Sequence, residues 1–172
     1  GFYATDGQRG VLMDALFADG MDGDPLASQA LNAALEGAGG EFTDVALIFA
    51  SHIHEDHMKA KAILRHLRAN KKALAILPEQ ARLFMVAAGV DTAQDRIIFS
   101  SLKPGESKGI DALPFPVTLY GLSHGEGSVV DNIGIKVTVG SKTIMQVGDM
   151  YGVQVGLGEP EKIKVDYLIL PF

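Results

Sequence analysis

The sequence predicts an α/β fold in which β-sheets pack on one another and helices lie outside them. Apolar runs of strand length alternate with amphipathic helical stretches through the first half, and from residue 115 the pattern changes to strands joined by short turns. With 172 residues, 47% hydrophobic and 21% charged, the chain can bury one sizeable core. No repeat, low-complexity stretch or interdomain linker interrupts it, so residues 1–172 read as a single domain.

The elements follow in order. "RGVLMDAL" reads as a strand, and "PLASQALNAALEGAGG" as a helix in which Asp24 caps, Pro25 takes the first helical position and glycines end the run. Ala27, Ala30, Leu31, Ala34 and Leu35 form its apolar stripe. "DVALIFA", "KALAIL" and "RIIFS" are strands. Between them, helices run through "DHMKAKAILRHLRAN", with Ala60, Ile63, Leu64 and Leu67 inward, and "PEQARLFMVAAG". "FPVTLYGL", "NIGIKVTVG", "KTIMQVG" and "VDYLILPF" complete the strands.

Composition excludes several classes. A net charge of −6 gives no basic stripe for a phosphate backbone, so nucleic acid is not an expected partner. No apolar run has the length a bilayer needs, so no membrane is expected; the chain reads as soluble, with cytoplasm favoured over periplasm. Zero cysteines removes disulfides, iron-sulfur clusters, thiol nucleophiles and thiolate zinc. Any metal must be held by nitrogen and oxygen.

The chemistry-bearing stretch is "ASHIHEDHMK", residues 50 to 59, which holds three of the five histidines and two acids directly after the buried run "TDVALIF". In an extended segment His52 and His54 share a face, and a chain turning toward a helix can aim Asp56 and His57 at a neighbouring point. Chance yields H-x-H-x-D-H only about once in several thousand chains of this composition, so a solvated turn is the poorer reading. Histidine with carboxylate suits zinc, iron or manganese. Two later strands end on a candidate ligand each: "LYGLSHGEG" on His124 and "KTIMQVGDM" on Asp149.

With these residues in this order, the chain resembles the metallo-β-lactamase fold superfamily over nearly its whole length. "GFYATDGQRGVLMDALF" is similar to that family's opening hairpin, and "DNIGIKVTVGSKTIMQVGD" to the hairpin leading to its bridging aspartate. The resemblance implies a four-layer αββα sandwich with metals at one edge. It implies that His52, His54 and His124 hold the first metal, that Asp56 and His57 ligate the second, and that Asp149 bridges both. It implies zinc, one or two ions, with iron or manganese as alternatives. Zinc lowers the pKa of its water from about 15.7 to about 7, and a second metal about 3.5 to 4 Å away can share the hydroxide. Asp56 would orient that nucleophile as well as ligate, and Asp14 would brace the histidine loop from behind. On pattern alone, Asp14 is equally a strand-end turn residue.

Family members add a last histidine after the strand matching "VDYLILPF", whereas no histidine follows His124 here, and the opening is short. The expectation is therefore a truncated, incomplete version of the fold with a complete first site and a weakened second.

Other signals resolve to structure. "GLSHG", residues 121 to 125, matches the nucleophile elbow G-x-S-x-G, but it leads toward another strand rather than a helix, and no histidine follows for a triad. Ser123 is thus not the expected nucleophile. His66 reads as a solvated helix residue, and "DGMDGD", residues 19 to 24, as an acidic loop without EF-hand spacing. The superfamily spans lactamases, thioesterases such as glyoxalase II, lactonases, nucleases, phosphodiesterases and sulfur dioxygenases, and fold does not choose among them. "MKAKA" replaces the double glycine common in glyoxalase-like and lactamase-like members, leaving a small-molecule substrate as the expectation. A catalytically inert metal module and an iron-dependent, sulfur dioxygenase-like enzyme are the alternatives. Without the family's closing segment apolar surface should stand exposed, so a homo-oligomer is expected. Light scattering at high concentration should show more than a monomer; a well-behaved monomer removes that expectation.

Overall fold

The computed structural model describes residues 1–17, 27–91, 96–152, 157 and 163–171. The opening forms a hairpin, β1 (Phe2–Thr5) and β2 (Gly10–Met13), paired antiparallel with Phe2 opposite Met13. Its turn is held by Asp6, whose Oδ1 accepts from the backbone N–H groups of Gln8 and Arg9. After α1 (Gln29–Glu36) the chain enters β3 (Val45–Phe49), α2 (Ala60–Ala69), β4 (Leu74–Pro78), α3 (Ala81–Ala87) and β5 (Ile97–Ser100). The first sheet has the order β1-β2-β3-β4-β5, with β2 through β5 parallel.

The second half builds β6 (Ser107–Ile110), β7 (Val117–Leu122), β8 (Asn132–Val139), β9 (Lys142–Gln146) and β10 (Tyr167–Ile169). They form the order β10-β9-β8-β7-β6, antiparallel except for the β10/β9 pair. Strand β6 has no counterpart in the sequence reading. Its "SKGI" leaves three of four residues exposed at the sheet edge, so it shows no apolar alternation.

Side-chain alternation splits the core in two. Inward residues Val11, Met13, Leu47, Phe49 and Ile76 of the first sheet meet Val117, Leu119, Ile133, Ile135 and Val137 of the second. Outward residues Leu12, Ile48, Ala75 and Leu77 meet Ile63, Leu64 and Leu67 of α2 and Met85 of α3. The outer face of the second sheet carries Leu122, Met145, Val147 and Met150, met by Leu157, Ile163 and Val165. The described residues thus form helices on one side of a two-sheet sandwich.

Three expectations change. Asp24 and Pro25, with the "DGMDGD" loop, lie outside the described residues; α1 begins at Gln29, capped by Ser28, whose Oγ accepts from the Leu31 N–H at 3.1 Å. That start leaves Ala30 and Leu31 exposed and Leu35 as the helix's buried residue. Helix α2 begins at Ala60 rather than Asp56, because His54 to Met58 are spent on a turn in which the His54 carbonyl accepts from the N–H groups of His57 and Met58. His66 is not solvated: it is fully buried, with Nδ1 2.5 Å from the Leu35 carbonyl. The packing of α1 onto α2 covers that position, which the periodicity of α2 alone does not reveal.

Gly121, in β7, sits where the loop at residues 102–106 crosses the strand; a Cβ there would stand 2.1 Å from the Lys103 carbonyl oxygen. The obstacle is backbone and cannot rotate away. Gly121→Ala is expected to destabilise the protein by about 1–3 kcal/mol, read as a lowered urea midpoint; an unchanged midpoint would show that the loop yields freely.

Candidate metal centre

Parallel β2 and β3 end at one edge of the first sheet, and β7 and β9, both antiparallel to β8, run the same way in the second. Four strand ends therefore deliver Asp14, Ser51 with the histidine loop, His124 and Asp149 to one edge of the sandwich. The outside of strand carboxyl ends is where open α/β sheets place ligands.

His52, His54, His124 and Asp149 each offer a ligand atom, and these four atoms lie within 4.8 Å of one another. His52 Nε2 is 3.0 Å from His54 Nδ1 and 3.7 Å from Asp149 Oδ2, and His124 Nε2 is 3.8 Å from the same oxygen. The other Asp149 oxygen, Oδ1, faces His57 Nε2 at 3.3 Å, and Asp56 Oδ2 lies 3.4 Å from that nitrogen. All six residues singled out in the sequence are thus gathered, with Asp149 between two groups.

Asp14 lies behind them, 4% exposed, at a left-handed φ of 47°, uncommon outside glycine although aspartate adopts it more readily than most. Its Oδ1 accepts from the Ser51 backbone N–H at 2.7 Å; its Oδ2 accepts from Ser51 Oγ and His57 Nδ1, both at 2.8 Å, and from Gln146 Nε2 at 2.5 Å. Because a carboxylate accepts and Ser51 gives it the hydroxyl proton, the 2.9 Å contact between Ser51 Oγ and His52 Nδ1 is donated by His52. That leaves the His52 Nε2 lone pair facing the cluster. His57, donating through Nδ1, turns its Nε2 toward Asp56 and Asp149.

Burial, then the neighbouring His57, lowers the His52 pKa to about 3, and burial lowers that of His124. Both rings stay neutral at physiological pH, the form that ligates metal. Burial alone would lower His57 too, but hydrogen bonding to Asp14 and Asp149 outweighs it and raises the pKa to about 10. His57 in turn holds the Asp149 carboxyl below its ordinary range.

The donors fit a metal. His124 Nε2 is buried with no hydrogen-bond partner, its ring packed against two other imidazoles and the Asp149 carboxylate 3.8 Å away. Ligands about 2.0–2.1 Å from a tetrahedral ion stand roughly 3.4 Å apart, close to the separations here.

In solved structures the same architecture recurs. The chain is similar to a possible metal-dependent hydrolase from Veillonella parvula DSM 2008 (17% identity, TM-score 0.55, 88% of this chain and 60% of that one). It is similar to isothiocyanate hydrolase from Delia radicum gut bacteria (16%, TM-score 0.62, 96% and 66%) and to Zn2+-bound PqqB from Methylobacterium extorquens (12%, TM-score 0.51, 97% and 57%). The chain has the metallo-β-lactamase fold. It spans less than two thirds of the length of each of these proteins. No family model and no curated protein matches it.

Within this metallo-β-lactamase fold, Ser123 makes no catalytic pair. Its Oγ contacts only the Gly125 backbone among the described residues, and the chain runs on through a loop into β8, so the elbow's helix is absent. Sequence reasoning missed Ser51 and Gln146. Their signal is faint: each is one polar residue closing an apolar strand, in "IFAS" and "TIMQ". It also missed Gly148, whose φ of 56° favours glycine and where a Cβ would stand 2.2 Å from Asn132 Oδ1 and 2.6 Å from Ser51 Cβ, so a larger residue before Asp149 would be strained.

The opposite histidine shifts predict a pH profile. His57, raised above the ordinary 6.5, contributes stability present below pH 6.5 and lost as pH rises toward about 10; His52, lowered, contributes stability present above 6.5 and lost as pH falls toward about 3. Chelator-treated protein should melt highest near pH 6.5, and His57→Gln should flatten the alkaline decline. An unaltered alkaline limb in that variant, measured by thermal melts, would contradict the assignment.

Proposed function

We propose that this chain is the metal-binding part of a metal-dependent hydrolase acting on an ester, lactone, amide or phosphodiester bond of a small molecule. One observation carries the reading: three imidazoles and a carboxylate converge within 4.8 Å, with a ring nitrogen left unpartnered in their midst. His52, His54 and His124 would hold one cation, Asp56 and His57 a second, and Asp149 would offer one oxygen to each. Zinc suits the nitrogen and oxygen donors, with iron or manganese as alternatives. When bound, such a cation supplies an acidified water and polarises the oxygen of the bond under attack.

The chain's own residues would do the rest. Asp56 would orient the attacking water and accept its proton at the carboxylate. Asp14 and Ser51 would keep the His52 ring turned with its lone pair inward, while Asp14 fixes His57 through Nδ1. Of the neighbours, one is described as a possible metal-dependent hydrolase and another is an isothiocyanate hydrolase, which supports hydrolysis as the reaction class. No helix of the described residues is long and apolar enough to cross a membrane. A homo-oligomer belongs to the same reading, with exposed Tyr167, Leu168 and Leu170 as surface for it to cover.

The test is elemental analysis of the purified protein together with ester, lactone, amide, lactam and phosphodiester substrates. Zinc is expected to co-purify and chelation to abolish turnover. Asp56→Asn should lower kcat by about 10²–10⁴-fold, while Ser123→Ala leaves it unchanged. Bound metal with no turnover would instead identify an inert module, and iron with oxygen uptake on persulfides a redox enzyme.

A further inference from the structure

Gln146 ends β9 three residues before Asp149, is 4% exposed, and reaches from the second sheet to Asp14 in the first. The other donors to Asp14, Ser51 and His57, both belong to the loop that follows β3. Among the described residues, Gln146 is thus the donor that ties the anchoring carboxylate to the opposite sheet. Its orientation is fixed by chemistry, since a carboxylate accepts and only the amide NH2 can face it. The consequence is a buried Oε1 with no hydrogen-bond partner. An orphaned acceptor at a strand end is a liability for stability, which an apolar residue of the same size would avoid.

We propose that Gln146 is a positioning residue that sets the second cation position, resting on the metal-site reading above. His57 and Asp149 face each other at 3.3 Å but come from different sheets. Gln146 and Asp149 share one strand end, and Gln146 and His57 share one oxygen, Oδ2 of Asp14. The amide therefore links the strand that delivers Asp149 to the carboxylate that aims His57. The Ser51 hydroxyl that turns His52 also donates to Oδ2, but the backbone carrying His52 and His54 is held separately, by the Ser51 N–H on Oδ1. The first cation position is accordingly less dependent on the amide than the second.

The test is Gln146→Met, which keeps length and volume without a donor, with Gln146→Leu as a second variant. Calorimetric zinc titration of chelator-treated protein should resolve a tight and a weaker cation. The weaker should lose about 10–100-fold in affinity in the variants, and the tighter should stay within about threefold. Melting temperature under chelator should change little, because the loss of one donor to Asp14, which keeps those from Ser51 and His57, is offset by removal of the orphaned Oε1. In NMR spectra of the chelated protein, the His57 Nδ1 proton should exchange faster with water in the variants. Equal losses in both affinities together with a lowered melting temperature would reduce Gln146 to a structural residue and overturn the proposal, as would unchanged affinities. Wild-type protein that binds no zinc would sink the hydrolase reading instead, and the proton-exchange comparison would then decide the role of Gln146 by itself.

Discussion

A single carboxylate, Asp14, organises the edge of this sandwich. Burying a charge is costly unless donors replace water, and here they do: the Ser51 backbone, the Ser51 hydroxyl, His57 and Gln146. Those donors come from the β3 loop and from β9, so satisfying the carboxylate joins two sheets and turns two imidazoles at once. The left-handed backbone of Asp14 is tolerated because its neighbours over-determine it. Remove the charge, and neither His52 nor His57 has a reason to present Nε2 to the cluster.

The electrostatics follow from that anchor. His52 touches Asp14 only through the Ser51 hydroxyl and is fully buried, so desolvation governs it and it stays neutral. His57 touches the carboxylate directly and faces two more, so the acids govern it and it takes up a proton readily. In the proposed scheme a cation at His57 would have to displace that proton, whereas His52 and His124 are already neutral.

Strand direction supplies the remaining constraint. Because β2 and β3 are parallel, and β7 and β9 both oppose β8, ends far apart in sequence reach the same edge. Gly148 and its close approach to Asn132 let β9 turn there and deliver Asp149. The similarity to longer solved proteins at 12–17% identity shows that the fold recurs under very different sequences.

Much of this was legible in the chain itself. Continuous apolar runs in "VALIF" and "LAILP" and alternation in "IKVTV" mark the strands, and the dense H-x-H-x-D-H spacing points to a site because short-range geometry suffices to bring those side chains together. The fold class and the gathering of His52, His54, Asp56, His57, His124 and Asp149 followed from local pattern and family resemblance. Tertiary structure decided the rest: that His66 is covered by α1, that "SKGI" pairs as an edge strand, and that Gln146 reaches Asp14 across 132 residues. Periodicity records which face of an element is apolar, but it holds no information on what a single polar side chain meets when another sheet closes over it. That depends on how the two sheets are packed.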